Sequence, residues 1–249
     1  MNLNELALKH GTDKYREKGH RYTPHYERHF GHLREHPIKF LEIGVGGYDD
    51  PNKGGESLRM WKEYFPKATI HGLDIADKTP HNEDRILTIQ GDQADRTFLK
   101  QLNEQYGPFD IVVDDGSHIN SDVIRSFTVL FPLLQPTGVY AVEDLQTSYW
   151  PNGAFGMDWE GHDCVPRDHN RLSSINFLKS LVDCTNHAER IDYEPNYFDL
   201  HITSLTFYHN LCFVTKGDNN EVSNLVRREI PADKFHAPES QFEDYPWGE

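Results

Sequence analysis

Two short stretches of this sequence concentrate side chains that could do chemistry: Asp114-Asp115-Gly116-Ser117-His118 and Val142-Glu143-Asp144. Each closes an apolar run, so each should lie where a buried strand emerges at the edge of a sheet. Asp115, Glu143 and Asp144 would then supply three hard oxygen ligands, a donor set suited to Mg²⁺ or Mn²⁺, with coordination positions left for water or substrate oxygens. Carboxylates brought this close repel one another unless a cation lies among them. Helix capping offers two of the three a plainer role, since Asp caps a following helix well. His118 follows Asp115 by three residues and could reach an oxygen held by the same ion. With an ordinary pKa of about 6.5, its imidazole can act as general base toward a hydroxyl acidified by the cation. It could instead ligate the ion itself.

A second set of strand ends reads as a cofactor site. Glu42-Ile43-Gly44-Val45-Gly46-Gly47 follows one apolar run, and the bare backbone at Gly44 and Gly46 would let a ligand approach closely. It lacks the full spacing of the dinucleotide fingerprint. Asp74 ends the next run, where a carboxylate can accept hydrogen bonds from both hydroxyls of a ribose and would repel a 2′-phosphate. Gly91-Asp92-Gln93 follows the third, placing Asp92 and Gln93 where side chains bracket an adenine ring. Either aspartate alone reads as turn chemistry; three strand ends in succession point to a nucleoside. The loop beyond Gly47 is long and acidic, Tyr48-Asp49-Asp50-Pro51, and does not turn promptly into a phosphate-binding helix terminus. A nucleoside without a pyrophosphate, S-adenosylmethionine (SAM), therefore fits better than NAD. Methyl transfer from a sulfonium needs an in-line oxygen nucleophile, and a sugar or alcohol hydroxyl becomes one when a cation and a base act on it. A neighbouring pair of hydroxyls could chelate the ion, and substrate geometry would select the oxygen that is methylated.

These residues need a scaffold that opens several strand ends into one crevice. Apolar runs at 40–44, 69–74, 86–90, 109–114 and 139–143 alternate with helix-like segments at 56–65, 95–106 and 123–134. That alternation predicts right-handed βαβ crossovers and a parallel sheet covered on both faces. The pattern breaks in the last third. Runs at 199–208 and 211–216, separated by His209-Asn210, read as an antiparallel hairpin preceded by a helix around 173–184. The expected fold is α/β and Rossmann-like, a mostly parallel seven-stranded sheet with a C-terminal antiparallel hairpin, as in class I methyltransferases. We take 1–249 as a single domain: 1–38 a helical cap over the sheet's top edge, 39–216 the catalytic core, 217–249 an irregular extension.

Composition excludes several function classes. The formal charge of −15, from 40 acidic against 25 basic residues, repels phosphate backbones, so no nucleic-acid partner is expected. No stretch approaches the roughly 20 apolar residues of a membrane helix and no leader is evident, so no membrane insertion and a cytoplasmic location are expected. Cys164, Cys184 and Cys212 are scattered and read as free thiols. Most of the 15 histidines lie in polar stretches and read as solvated.

Taken together, His10-Gly11-Thr12-Asp13-Lys14, Leu41-Glu42-Ile43-Gly44-Val45-Gly46-Gly47-Tyr48, Gly55-Glu56-Ser57-Leu58-Arg59, Gly91-Asp92-Gln93, Asp114-Asp115-Gly116-Ser117-His118 and Glu143-Asp144 followed by Thr147-Ser148-Tyr149-Trp150-Pro151 resemble the metal-dependent sugar O-methyltransferases of antibiotic biosynthesis, of the mycinamicin VI 2″-O-methyltransferase type. The resemblance is strongest over the first 155 residues. It implies Mg²⁺ at residues matching Asp115, Glu143 and Asp144, a base matching His118, and SAM near Thr12, Gly44, Ser57, Asp74, Asp92 and Asp115. The acceptor it implies is a small-molecule or glycan sugar, a nucleotide sugar included, and a homo-oligomer is compatible with it. Members of the family carry a large further amino-terminal domain, so their oligomeric contacts and recognition of a bulky aglycone are not carried over. Tyr149-Trp150-Pro151-Asn152-Gly153-Ala154-Phe155-Gly156 would form either a lid over a sugar ring or a hydrophobic loop anchor; Trp159, His162 and His169 in the same insertion receive no individual role. Two other classes stay open: a metal-dependent hydroxylase of the cephalosporin hydroxylase type, and a non-catalytic glycan-binding protein.

Overall fold

Side chains alternate across each central strand, and the alternation sorts them into two cores. The computed structural model describes residues 1–16, 19–160, 173–190 and 192–223. Strand β1 (Lys39–Ile43) is followed by α3 (Glu56–Tyr64), β2 (Thr69–Asp74), β3 (Ile86–Gln90), α4 (Arg96–Tyr106), β4 (Ile111–Asp114), α5 (Asn120–Leu133) and β5 (Val139–Val142). Ahead of them lie α1 (Leu3–His10) and α2 (Thr23–Phe30); after them come α6 (Ser174–Ser180), α7 (Tyr197–His201), β6 (Ile202–Tyr208) and β7 (Leu211–Lys216). Among the described residues these strands form one seven-stranded sheet in the order β3-β2-β1-β4-β5-β7-β6. The first five are parallel; β7 enters antiparallel beside β5 and β6 pairs antiparallel outside it.

One face presents Leu41, Ile43, Val112, Tyr140, Val142, Cys212 and Val214 to Phe127 and Phe131 of α5, Phe177 of α6 and Phe198 of α7. The other presents Phe40, Ile111, Val113, Val139, Ala141 and Phe213 to Leu6, Tyr26, Phe30 and Trp61. Each face therefore reads as apolar at every second residue, and the sheet is covered on both sides as the strand–helix alternation requires. The three strand ends that matter are level with one another. Ile43 pairs with Asp114, and Asp114 with Val142, so Gly44, Asp115 and Glu143 emerge side by side.

Local chemistry explains where boundaries depart from those expected. The run expected from residue 199 starts as a strand only at Ile202, because Asn196 accepts hydrogen bonds from the Phe198 and Asp199 amides while the Asp199 side chain accepts one from the Asn196 amide, a capping box that winds α7. Ser173 caps α6, which gives way after Ser180 to a 3₁₀ turn at Asp183–Glu189. The amino-terminal helices do not simply sit over the top edge. α1 and α2 pack on the sheet face beside α3, and the loop between them reaches the carboxyl edge together with Tyr26 of α2. Cys184 and Cys212 are buried free thiols; Cys164 and residues 224–249 lie outside the described residues. No described helix is long and apolar enough to cross a membrane.

The junction of β1 and β4 allows no side chain at Gly44. Its φ is +91°, and a Cβ there would lie 2.0 Å from the Asp115 carbonyl oxygen. We expect Gly44→Ala to cost about 1–3 kcal/mol from the backbone conformation alone, with the carbonyl clash adding to it. Urea unfolding of the variant beside the parent chain measures the loss, and an unchanged midpoint would contradict it.

Candidate active site

The parity of the strands decides which residues meet. Glu42 lies on the face of Phe40; Asp115 and Glu143 continue the face of Val113 and Ala141. Those three carboxylates point toward the amino-terminal helices, whereas Asp114 points to the opposite side. There Asp114 is buried and accepts hydrogen bonds from Ser126 Oγ, from Tyr140 Oη at 3.1 Å and from Gln93 Nε2 at 3.2 Å.

At the centre of the three carboxylates stands Lys14, which belongs to the first of the family-like motifs but carries no role in the sequence analysis. Gly11 ends α1 in a left-handed conformation, and the buried Thr12 hydroxyl accepts the Lys14 amide at 3.4 Å. The side chain then runs inward. Its Nζ lies 2.7 Å from Asp115 Oδ2 and 2.6 Å from Glu143 Oε1, and 2.9 Å from Glu42 Oε1, a proximity ion pair without hydrogen-bond geometry. Lys14 is 1% exposed, Glu42 0% and Glu143 3%. Ser57 Oγ donates to the other Glu42 oxygen at 2.8 Å, and Tyr26 Oη donates to Glu143 Oε1.

Outside this buried cluster lies a second, shallower one that shares Asp115. His118 Nε2 is 3.9 Å from Asp115 Oδ1 and 3.7 Å from Asp144 Oδ2. All three side chains are about one-fifth exposed, at 23%, 21% and 20% for Asp115, His118 and Asp144. Tyr22 Oη donates to Asp144 Oδ1 at 2.6 Å, and His20 Nδ1 approaches the same oxygen at 3.6 Å. His118 and Asp144 both hold left-handed backbone conformations, φ +56° and +53°. Strain of this kind persists where the surroundings fix it, as at functional sites. Here the Thr147 hydroxyl ties the His118 carbonyl at 2.9 Å.

The electrostatics grade from inside to outside. Burial drives Glu143 well above the usual carboxylate range, Asp115 adds to the rise, and Lys14 and Tyr26 oppose it. Burial likewise raises Glu42 and Asp115 against the pull of Lys14. Burial would lower Lys14, but Asp115, Glu143 and Glu42 outweigh it and hold the ammonium protonated. At Asp144, burial is overcome by His118, by the Tyr22 hydroxyl and by His20, so this carboxyl sits below its ordinary value. Four carboxylates facing one ammonium leave an excess of three negative charges when all are ionised. A divalent cation fits that deficit, and the donors offered are hard oxygens with one imidazole. Asp115, His118 and Asp144 can hold one ion, and Glu42, Asp115 and Glu143 form an inner group already filled by Lys14. Of the predicted trio, Asp115 is shared by the two groups, Glu143 lies in the inner one with Lys14 and Asp144 in the outer one, where His118 stands beside it.

The residues expected to face a nucleoside lie at the ends of β1, β2 and β3, with varied degrees of freedom. Both Asp74 oxygens accept backbone amides, Val45 at 2.9 Å and Ala76 at 2.9 Å, so the carboxylate is fixed in orientation and offers its remaining lone pairs. Asp92 is exposed and accepts the Ala94 amide at 2.7 Å. Gln93 is buried and engaged at both ends of its amide, donating to Asp114 and accepting from Ser117 at 2.7 Å. Gly46, at φ +83°, would bring an added Cβ to only van der Waals contact, 3.7 Å from Gly54. Gly46 therefore leaves open backbone, while the bareness of Gly44 serves the closeness of β1 and β4.

The segment after the site combines an anchor with an open aromatic surface. Trp159 is 8% exposed, donates to the Ala154 carbonyl at 2.7 Å and is held by Asn120 at 2.8 Å. Phe155, packed on Trp150, remains 82% exposed. His162 and His169 lie outside the described residues.

No family model matches the chain. It is 48% identical over 223 residues to mycinamicin VI 2″-O-methyltransferase of Micromonospora griseorubida, across 88% of this chain and 53% of that protein. It is 47% identical over 230 residues to 8-demethyl-8-alpha-L-rhamnosyl tetracenomycin-C 2′-O-methyltransferase of Streptomyces olivaceus, across 90% of this chain and 57% of that one. Among solved structures it resembles the MycE methyltransferase of the mycinamycin biosynthetic pathway in complex with Mg, SAH and mycinamycin VI. That match has a TM-score of 0.80 and 48% identity, over 89% of this chain and 55% of that chain. The chain spans about half the length of the curated relatives it matches.

Lys14 pairs with two buried carboxylates, Glu42 and Glu143, and with the partly exposed Asp115, so Lys14→Met should destabilise the protein by about 3–5 kcal/mol near neutral pH. Glu42 and Glu143 have raised folded pKa values, so stability is fullest below the ordinary glutamate pKa of about 4.3 and falls as pH rises through the folded values. The deficit of the variant should therefore narrow toward acid. Urea midpoints across pH check this, and a deficit that widened on acidification would contradict it.

Proposed function

The matched region makes this chain a member of the sugar O-methyltransferase family that includes mycinamicin VI 2″-O-methyltransferase, and from that premise we propose that it transfers a methyl group from SAM to a sugar hydroxyl with the help of Mg²⁺. The observation that carries the reading is the convergence of Asp115, Asp144 and His118 at the ends of β4 and β5. Glu42, Gly44, Gly46, Asp74 and Asp92 border the donor side of the same crevice, with Thr12, Ser57 and Gln93 supporting them from within. When bound, SAM would supply the methyl group, and Mg²⁺, or Mn²⁺ in its place, would acidify the acceptor hydroxyls.

The chain's own residues do the rest. Asp115, Glu143 and Asp144 would hold the cation and, through it, a sugar diol in one orientation. His118 Nε2, set between Asp115 Oδ1 and Asp144 Oδ2, would accept the proton of the hydroxyl that attacks the methyl group. The two flanking carboxylates stabilise the imidazolium that results. Phe155 and Trp150 offer an aromatic surface for the sugar or its aglycone, anchored by Trp159. In this reading 39–216 form the catalytic core and 1–38 complete its carboxyl edge. The acceptor is a glycoside, glycan or nucleotide sugar, and a cytoplasmic protein, single or as a homo-oligomer, is compatible with it. The hydroxylase reading draws no support from the cluster, which pairs one histidine with two carboxylates where a two-histidine, one-carboxylate triad would be expected.

Incubating the protein with SAM, Mg²⁺ and a panel of glycosides and nucleotide sugars should add the mass of one methyl group to an acceptor, and a chelator should abolish the gain. His118→Ala should keep SAM affinity, read by calorimetry, while turnover falls about 10²–10⁴-fold. A fully active variant would remove His118 from the base role, and no methylated product on any hydroxylated acceptor would count against the activity.

A further inference from the structure

The three carboxylates proposed to hold the cation share a pattern in their hydrogen bonding. Each has one oxygen occupied by a donor from the amino-terminal segment. Asp115 gives Oδ2 to Lys14. Glu143 gives Oε1 to both Lys14 and Tyr26, and neither contact uses Oε2. Asp144 gives Oδ1 to Tyr22, with His20 approaching the same atom. The opposite oxygens of Asp115 and Asp144, Oδ1 and Oδ2, are the ones turned to His118. Three separate side chains on one short stretch thus make the same choice at three carboxylates.

We propose that Lys14, Tyr22 and Tyr26 are positioning residues that orient the metal-binding carboxylates, each fixing one oxygen so that the other is left to the cation. The inference rests on the metal-dependent reading above and adds the residues that prearrange the site. A carboxylate without an inner partner can rotate about its terminal bond, and an ion then has to organise its own ligands on binding. Donors around a metal's ligands commonly contribute 10–100-fold in affinity by preventing this. The tyrosines suit this role because their rings are held by packing, Tyr26 against Phe30, Trp61 and Phe213, and Tyr22 beside His20. Their hydroxyls are neutral donors, adding no positive charge that would repel an ion.

Asp114 supplies an internal comparison. It too is a buried carboxylate at the end of β4 with a tyrosine hydroxyl on it, from Tyr140 at 3.1 Å. It faces the other side of the sheet, away from the cluster. A general effect of losing a buried hydroxyl would therefore be shared by Tyr140, and an orienting effect would not.

The metal-free protein is titrated with Mn²⁺, free ion is read by electron paramagnetic resonance, and melting temperatures are taken in parallel. The wild-type chain should bind one ion, and Asp144→Asn should weaken it. Tyr22→Phe and Tyr26→Phe should each raise the Mn²⁺ Kd by about 10–100-fold, whereas Tyr140→Phe should lower the melting temperature and leave the Kd unchanged. Should Tyr26→Phe fail to fold, Tyr22→Phe carries the test, because its ring stays and only the hydroxyl is lost. Wild-type affinity in the Tyr22 and Tyr26 variants, or an equal loss in Tyr140→Phe, overturns the orienting role. A wild-type chain that binds no Mn²⁺ removes the metal reading itself and the orienting role with it.

Discussion

Three carboxylates converge at the carboxyl ends of β1, β4 and β5 on a single buried ammonium, with a fourth, Asp144, just outside them, and that imbalance governs the rest of the structure. Ionised carboxylates cost several kcal/mol each to bury, and a partner recovers this only when geometry and hydrogen bonds are both good. Lys14 donates hydrogen bonds to Asp115 and Glu143 and only pairs by charge with Glu42, while Asp144 takes its hydrogen bond from the neutral Tyr22 hydroxyl. The deepest carboxyls consequently resist ionisation while Asp144, nearer solvent and beside His118, holds its charge easily. A protein under selection for stability alone would have no reason to keep such a cluster. It becomes reasonable as a site tuned to accept further positive charge from outside.

The sheet supplies the cluster through register and parity. Asp114 and Asp115 are neighbours in sequence with the same chemistry, yet the pleat sends the first to Ser126 and Tyr140 and the second to Lys14. Glu42 joins Asp115 because β1 and β4 are adjacent and in register, and Glu143 joins because β5 lies on the other side. Asp144 and His118 fall beyond the strands, where left-handed backbone conformations turn both side chains back toward Asp115. The remaining parts come from α2 and the loop before it, so the site is shared between the sheet and the segment that precedes it.

Much of this is legible in the sequence. The apolar runs locate all seven strands, the break in alternation locates the hairpin, and the polar residues at strand ends mark the crevice. What escapes a sequence reading does so for a physical reason in each case. Lys14 and Tyr22 sit near a loop, where no periodicity says which way a side chain points, and their partners are over a hundred residues away. Tyr26 lies on an amphipathic helix and reads as core, which it also is. The start of β6 shifts because a capping box at Asn196 and Asp199 outweighs the β-prone composition there. Strict alternation along β4 and β5 does carry one usable signal: it separates Asp114 from Asp115, and so tells the carboxylate that joins the cluster from the one that faces the other side of the sheet.

Asp115 shows why donor and acceptor chemistry belong to one site. Its carbonyl packs where a side chain on Gly44 would stand, at the mouth of the turn proposed to receive SAM. Its carboxylate spans the gap between Lys14 and His118, with one oxygen on each side. Backbone and side chain of a single residue therefore fix the distance between the turn proposed to receive SAM and the carboxylates proposed to hold the cation. In-line methyl transfer tolerates little error in that distance, since the reacting atoms must approach within about 3–3.5 Å along one axis. Gly44 and Lys14 clamp Asp115 from its two ends, one by leaving room for the carbonyl and the other by pairing with the carboxylate. The spacing is thus set by the fold before any ligand arrives.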